Sequence, residues 1–210
     1  RVSRGLGDVY KRQVVPNVKL AQRVQTHGAD ALVVEGMEAG GHDGKLTLMA
    51  LLENVLPDIE IPVIAAGGIA DGRGIAASLL MGASGVQMGT RFLLAEECSL
   101  HPKAKDAIMA AADTDSVVTG FTTGDSVRGL KNRFSDRYLK AEYSGASPDE
   151  LSSISAGTTR RGALLGDTEN GFILAGMSLT HLTKIQSAKE IVEELVSETE
   201  RRLAAAPGLI

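Results

Sequence analysis

The sequence predicts an α/β fold built on parallel strands, and three observations carry that prediction. Short apolar runs bounded by glycine or polar residues alternate with helix-length segments between positions 14 and 95. The strand, loop, helix unit recurs four times there, which is the rhythm of a parallel sheet. The loops with unusual residues all follow strand carboxyl ends, where parallel α/β proteins place their sites. The expected architecture is the carboxy-terminal half of a TIM (β/α)8 barrel over residues 14–98, followed by a mostly helical region over 99–210.

Each element has its own local reason. Val14-Val15-Pro16 reads as the end of a strand, and Asn17 can cap a helix from Val18 to Gln25 that Gly28 ends. Ala31-Leu32-Val33-Val34 is a short, wholly apolar run and reads as a buried parallel strand. A glycine-rich loop, Glu35 to Gly44, leads to a helix over about 47–55. The next strand is Ile61 to Ala66, with Pro62 at its start where a missing N–H is tolerated. Gly67-Gly68 turns the chain, Asp71 caps a helix from Gly72 to Met81, and Gly82 closes it. The fourth strand is Gly85 to Met88, followed by Gly89-Thr90 and a segment from Arg91 to Ala95. Beyond Cys98 the candidates are helices at Pro102–Ala112, Pro148–Ile154 and Ala188–Ala205. Ser147 with Glu150, and Ser187 with Glu190, have capping-box spacing. Ile191, Val192, Leu195, Val196 and Leu203 form an apolar stripe expected to pack on the rest of the molecule.

Residues 1–13, RVSRGLGDVYKRQ, are polar and basic without periodicity, and resemble translated adapter sequence. They are set aside as a non-native or disordered tail. Four βα units do not close a barrel, so the missing strands are expected to precede Val14. The exposed sheet edges then predict that the isolated chain associates, as a homodimer or less specifically.

Composition narrows the function. A net charge of -4 without a basic run argues against a nucleic-acid partner. No stretch reaches the roughly 20 apolar residues of a membrane helix, so no membrane partner is expected. The single cysteine, Cys98, excludes an intrachain disulfide and suits a cytoplasmic setting. No Cys/His cluster has metal-ligand spacing, so no metal is expected.

Three loops carry chemistry. Gly67-Gly68 and Gly89-Thr90 can bring backbone amides close to an anion, and they lie one helix and one strand apart. Side by side at neighbouring strands they make a phosphate cradle of the kind barrels use. The third loop runs Glu35-Gly36-Met37-Glu38-Ala39-Gly40-Gly41-His42. An imidazole behind two glycines at the active face can exchange protons with a substrate. Glu35 ends the strand and can hydrogen-bond a ligand or anchor the loop. Arg128, Lys131 and Asn132 form a basic group, read either as a contact to a phosphate-bearing partner or as a solvated helix face.

The runs GADALVVEGMEAGGHDGKLT and IPVIAAGGIADGRGIAASLLMGASGVQMGTRF resemble the nitronate monooxygenase-like superfamily of FMN proteins. Within it they are most similar to enoyl-ACP reductase II. The resemblance covers nearly everything from Val14 to Glu200, and EGMEAGGH is its most specific part. It implies a TIM barrel with a helical subdomain and FMN at the strand carboxyl ends. By position it assigns the flavin phosphate to Gly67, Gly68, Gly89 and Thr90, and the flavin's flank to Glu35, Gly40 and Gly41. It makes His42 the histidine of the reaction centre. Met177 departs from the pattern, which often has Gln there. The implied activity is NAD(P)H-dependent reduction of an enoyl thioester on acyl carrier protein. The alternatives are a nitronate monooxygenase, in which His42 takes the proton α to the nitro group, and a non-catalytic fragment. A flavin-free barrel like inosine-monophosphate dehydrogenase would need a catalytic cysteine loop, and Cys98 does not match it.

Overall fold

The computed structural model describes residues 10–209. Four parallel strands form its main sheet, in the order β1-β2-β4-β5: β1 (Arg12–Val15), β2 (Ala31–Glu35), β4 (Val63–Ala66) and β5 (Gly85–Gln87). Among the described residues, β1 and β5 are its two edges. Strands that follow one another in this part of the chain thus lie side by side, joined by helices α1 (Val18–Thr26), α2 (Leu48–Val55) and α3 (Gly72–Leu80). β1 opens two residues earlier than expected, because Arg12 and Gln13 pair with Ala31 and Leu32. Both are exposed on an edge strand, so their polarity costs the ladder nothing. Residues 1–9 of the expected tail lie outside the described residues.

The capping signals behave as the side chains dictate. The Asn17 side chain accepts from the Leu20 N–H, and Asp71 Oδ1 accepts from the Arg73 and Gly74 amides. Gly28 and Gly82 take positive φ at the helix ends. β2 is buried on both faces, and Leu32, Val34, Leu51, Leu52, Val55 and Val63 form the core between sheet and helices.

The region from 99 to 209 is less helical than expected. Helices α5 (Pro102–Ala110), α7 (Pro148–Ser155) and α9 (Ala188–Ala205) are present, with both expected capping boxes at Ser147 and Ser187. So are α4 (Thr90–Leu93), α6 (Arg133–Tyr143) and α8 (Thr158–Ala163). Two strands, β6 (Ser116–Thr119) and β7 (Val127–Leu130), stand where helix was expected. β7 pairs antiparallel with β6 on one side and with the two-residue β3 (Gly41–His42) on the other. The glycine-rich loop after β2 is therefore stitched into a second, three-stranded sheet.

α9 lies on α3 so closely that a Cβ on Gly72 would stand 2.6 Å from the Glu198 Cβ. Its buried line is Ile191, Leu195 and Thr199, one residue per helical turn. Val192 and Val196, expected in that stripe, stay about half exposed, at 47% and 50%. An aromatic cluster of Phe134, Tyr138 and Phe172 anchors α6, with the Phe134 and Phe172 ring centroids 5.1 Å apart. No helix among the described residues is long and apolar enough to cross a membrane.

Candidate functional site

The carboxyl ends of β2, β4 and β5 open on one cleft of about 420 Å³, within the roughly 300–1,000 Å³ typical of cofactor sites. Glu35, Gly40, Gly67, Gly68, Gly89 and Thr90 all line it. Parallel pairing brings them together: Glu35 sits beside Ala66, and Ala66 beside Gln87, so the three following loops share one end of the sheet.

The cleft's floor is a donor surface. None of the N–H groups of Gly67, Gly68, Gly89 and Thr90 meets a protein acceptor among the described residues. Gly67 and Gly68 have φ of +96° and +71°, a region L residues with side chains avoid. A Cβ on Gly67 would also stand 2.9 Å from the Gly36 carbonyl oxygen. Gly89 has ordinary φ, and a Cβ there would meet nothing within 4 Å. The space over Gly89 is thus open to a ligand rather than filled by the chain. Backbone donors without acceptors suit an anion such as a phosphate group.

The helix that follows the Gly67-Gly68 turn adds no free donors. The amino terminus of α3 is already occupied, with Asp71 holding the Arg73 and Gly74 amides and Glu198 Oε2 accepting from the Gly72 N–H at 3.0 Å. The cradle therefore consists of the two turns alone. Glu38 is similarly engaged, accepting from the Leu48 N–H at the start of α2, whose N-cap Thr47 makes no side-chain bond.

The segment that the resemblance singled out only for its departure at Met177 forms one wall of the cleft. Leu174, Gly176 and Ser178 belong to an extended segment that threads between the two ligand loops. The Gly176 N–H donates to Thr90 Oγ1 at 2.9 Å, and the Met177 N–H donates to the Glu38 carbonyl at 2.9 Å. Cβ atoms on Gly40 or Gly176 would collide with that crossing. Met177 takes part through its backbone, and its side chain is 44% exposed. Gln87, which the sequence reading treated only as part of a strand, also lines the cleft; its signal was a polar residue at the carboxyl end of β5.

Gly41 and His42 lie just beyond the cleft lining, on β3. His42 is 77% exposed, with Nε2 3.2 Å from Asp125 Oδ1. The basic group is not a helix face. Arg128 is buried in β7, Lys131 is exposed between β7 and α6, and the half-buried Asn132 caps α6.

Burial raises the Glu35 carboxyl above its ordinary value near 4.5, the Asp43 charge raises it further, and His42 opposes both. A raised folded-state value favours the protonated form. That contribution to stability is complete below about pH 4 and is lost as pH climbs through the raised value. Glu35→Gln is accordingly expected to raise Tm near neutral pH and to leave it unchanged near pH 4. A Tm difference that does not vary with pH would refute the burial argument.

The family model described as nitronate monooxygenase matches residues 4–198. This chain belongs to the nitronate monooxygenase family. The match begins inside the segment first set aside as a tail. A probable nitronate monooxygenase of Staphylococcus aureus (strain MSSA476) is 36% identical, over 81% of this chain and 51% of the relative. Among solved structures, FabK from Thermotoga maritima superposes with a TM-score of 0.92 at 39% identity, over 96% of this chain and 64% of FabK. A nitroalkane oxidase from Streptomyces ansochromogenes superposes with a TM-score of 0.80 at 30% identity, over 94% of this chain and 59% of that one. The chain spans about half the length of the curated relatives it matches.

Proposed function

We propose that this chain forms the carboxy-terminal part of an FMN-dependent oxidoreductase, with the parallel sheet as half of a TIM barrel. The observation that carries the reading is the pair of unsatisfied turns on adjacent strands, opening on the same cleft as Glu35 and Gly40. The residues fit the group: neutral amide donors for a phosphate at one end, and Ile69, Met88, Leu93 and Leu174 as apolar lining. FMN, when bound, supplies hydride-transfer chemistry.

The chain's own residues have separable tasks in this reading. Gly67, Gly68, Gly89 and Thr90 hold the phosphate, while Glu35, Gly40 and Gly41 flank the ring system. His42 exchanges a proton with the substrate beside it. The activity favoured is NAD(P)H-dependent saturation of an enoyl thioester carried on acyl carrier protein. Its support is the enoyl-ACP reductase II resemblance of the EGMEAGGH loop together with the likeness to FabK. The second reading, oxidation of a nitronate with oxygen, is supported by the matching family model and the curated relatives.

The test uses the full-length parent protein. NADPH oxidation that depends on crotonyl thioester supports the first reading. Nitronate-dependent oxygen uptake without NADPH replaces it with the second. A purified parent without a flavin absorption spectrum, and without quenching of added FMN fluorescence, overturns both.

A further inference from the structure

Arg128 is a buried cation that the proposed chemistry does not use. Its strand, β7, pairs with β3, and its Cα lies opposite Gly41. The side chain is 6% exposed and reaches under the glycine-rich loop. Nε donates to the Met37 carbonyl at 2.9 Å, at the start of that loop. Nη2 stands 3.7 Å from Asp43 Oδ2, at the loop's end. Nη1 donates to Ser116 Oγ on β6 at 3.1 Å, which fixes the guanidinium from the far side. Asp43 is 4% exposed, and its Oδ1 has no hydrogen-bond partner.

Two charges are thus buried where neither can be solvated, and each is the other's ion partner. A planar guanidinium suits this position because it can address a carbonyl and a carboxylate in fixed directions. Burial lowers the Arg128 proton affinity and the Asp43 and Glu38 charges oppose that; the guanidinium's intrinsically high affinity keeps the group cationic. Removing one member of such a pair leaves an uncompensated buried charge that the structure must open to hydrate. The segment that would open is the one carrying Gly40, Gly41 and His42.

We propose that Arg128 is a positioning residue for the cleft, a clamp that joins Met37 to Asp43 and so sets the shape of the 36–43 loop. Its function in positioning His42 rests on the reading above. The clamp itself does not, because it is read from the loop's own hydrogen bonds. Met37 N–H donates to Leu46, Ala39 N–H to Gly36, and Asp43 N–H to Ser126, so these amides report on the loop directly.

Hydrogen exchange followed by mass spectrometry on Arg128→Met and Asp43→Asn, without ligand, tests it. Each substitution is expected to speed exchange of the 36–43 amides at least tenfold while the amides of β2 and β4 keep their rates. The double variant, with both charges gone, is expected to exchange more slowly in this loop than Arg128→Met alone. Unchanged loop exchange in both single variants, or equal acceleration throughout the chain, overturns the proposal. Where Arg128→Met fails to fold, Asp43→Asn and Arg128→Lys carry the same comparison. In the full-length parent, loosened loop exchange should accompany at least tenfold weaker FMN binding. A parent that binds no FMN while the loop exchange still responds would sink the cofactor reading and leave the clamp standing.

Discussion

Gly67→Ala is expected to destabilise the chain by roughly 2–5 kcal/mol. About 1–2 kcal/mol comes from forcing a side chain into positive φ, and the rest from overpacking. The added Cβ would stand 2.9 Å from the Gly36 carbonyl oxygen and 3.1 Å from the Ala39 amide nitrogen, so the turn must push the neighbouring loop away. That displacement separates the two walls of the cleft, and FMN binding should be lost with it. Urea titration reads the first effect as a lower midpoint at unchanged slope. Gly89→Ala is the matched control. Its backbone is ordinary and its Cβ would enter open space, so stability should move by less than about 0.5 kcal/mol. The same methyl would enter the space assigned to the phosphate, so FMN affinity should still fall. If Gly89→Ala binds FMN as wild type does, the cradle has been placed on the wrong turn.

His42→Ala in the full-length parent should lower turnover by about 10²–10⁴, the usual contribution of a positioned acid or base. The imidazole is 77% exposed, with Nε2 3.2 Å from the equally exposed Asp125 carboxylate, so Tm should stay within a degree or two and the flavin should remain bound. This combination separates a chemical role from a structural one. Undiminished turnover with flavin retained would remove His42 from the mechanism. A loss of turnover that follows a loss of flavin would assign the residue to binding instead.

What was legible in the sequence was local. Asn17, Asp71, Ser147 and Ser187 announce helix starts because a short polar side chain satisfies amides two or three residues away. β2 is legible because four consecutive apolar residues bury on both faces of a parallel sheet. The glycine turns after β4 and β5 are legible because strand, turn and helix follow within one short window, and the regular pairing then aligns them. β6 and β7 were not legible, since SVVT and VRGL are neither wholly apolar runs nor clearly alternating ones.

The sequence by itself therefore determined the parallel α/β framework, the two turns and the family likeness of the loop between Glu35 and His42. Only the tertiary structure decided which groups are still free to act. It closed the amino terminus of α3 with Asp71 and Glu198, the latter 126 residues from the amide it accepts. It turned Arg128 from a candidate ligand contact into a buried tie 91 residues from its carbonyl partner. It also laid Gly176 against Thr90 across 86 residues. The physical reason is that a turn's conformation is set by neighbours in sequence, whereas the satisfaction of a buried donor or charge is set by whatever the folded chain brings within about 3 Å.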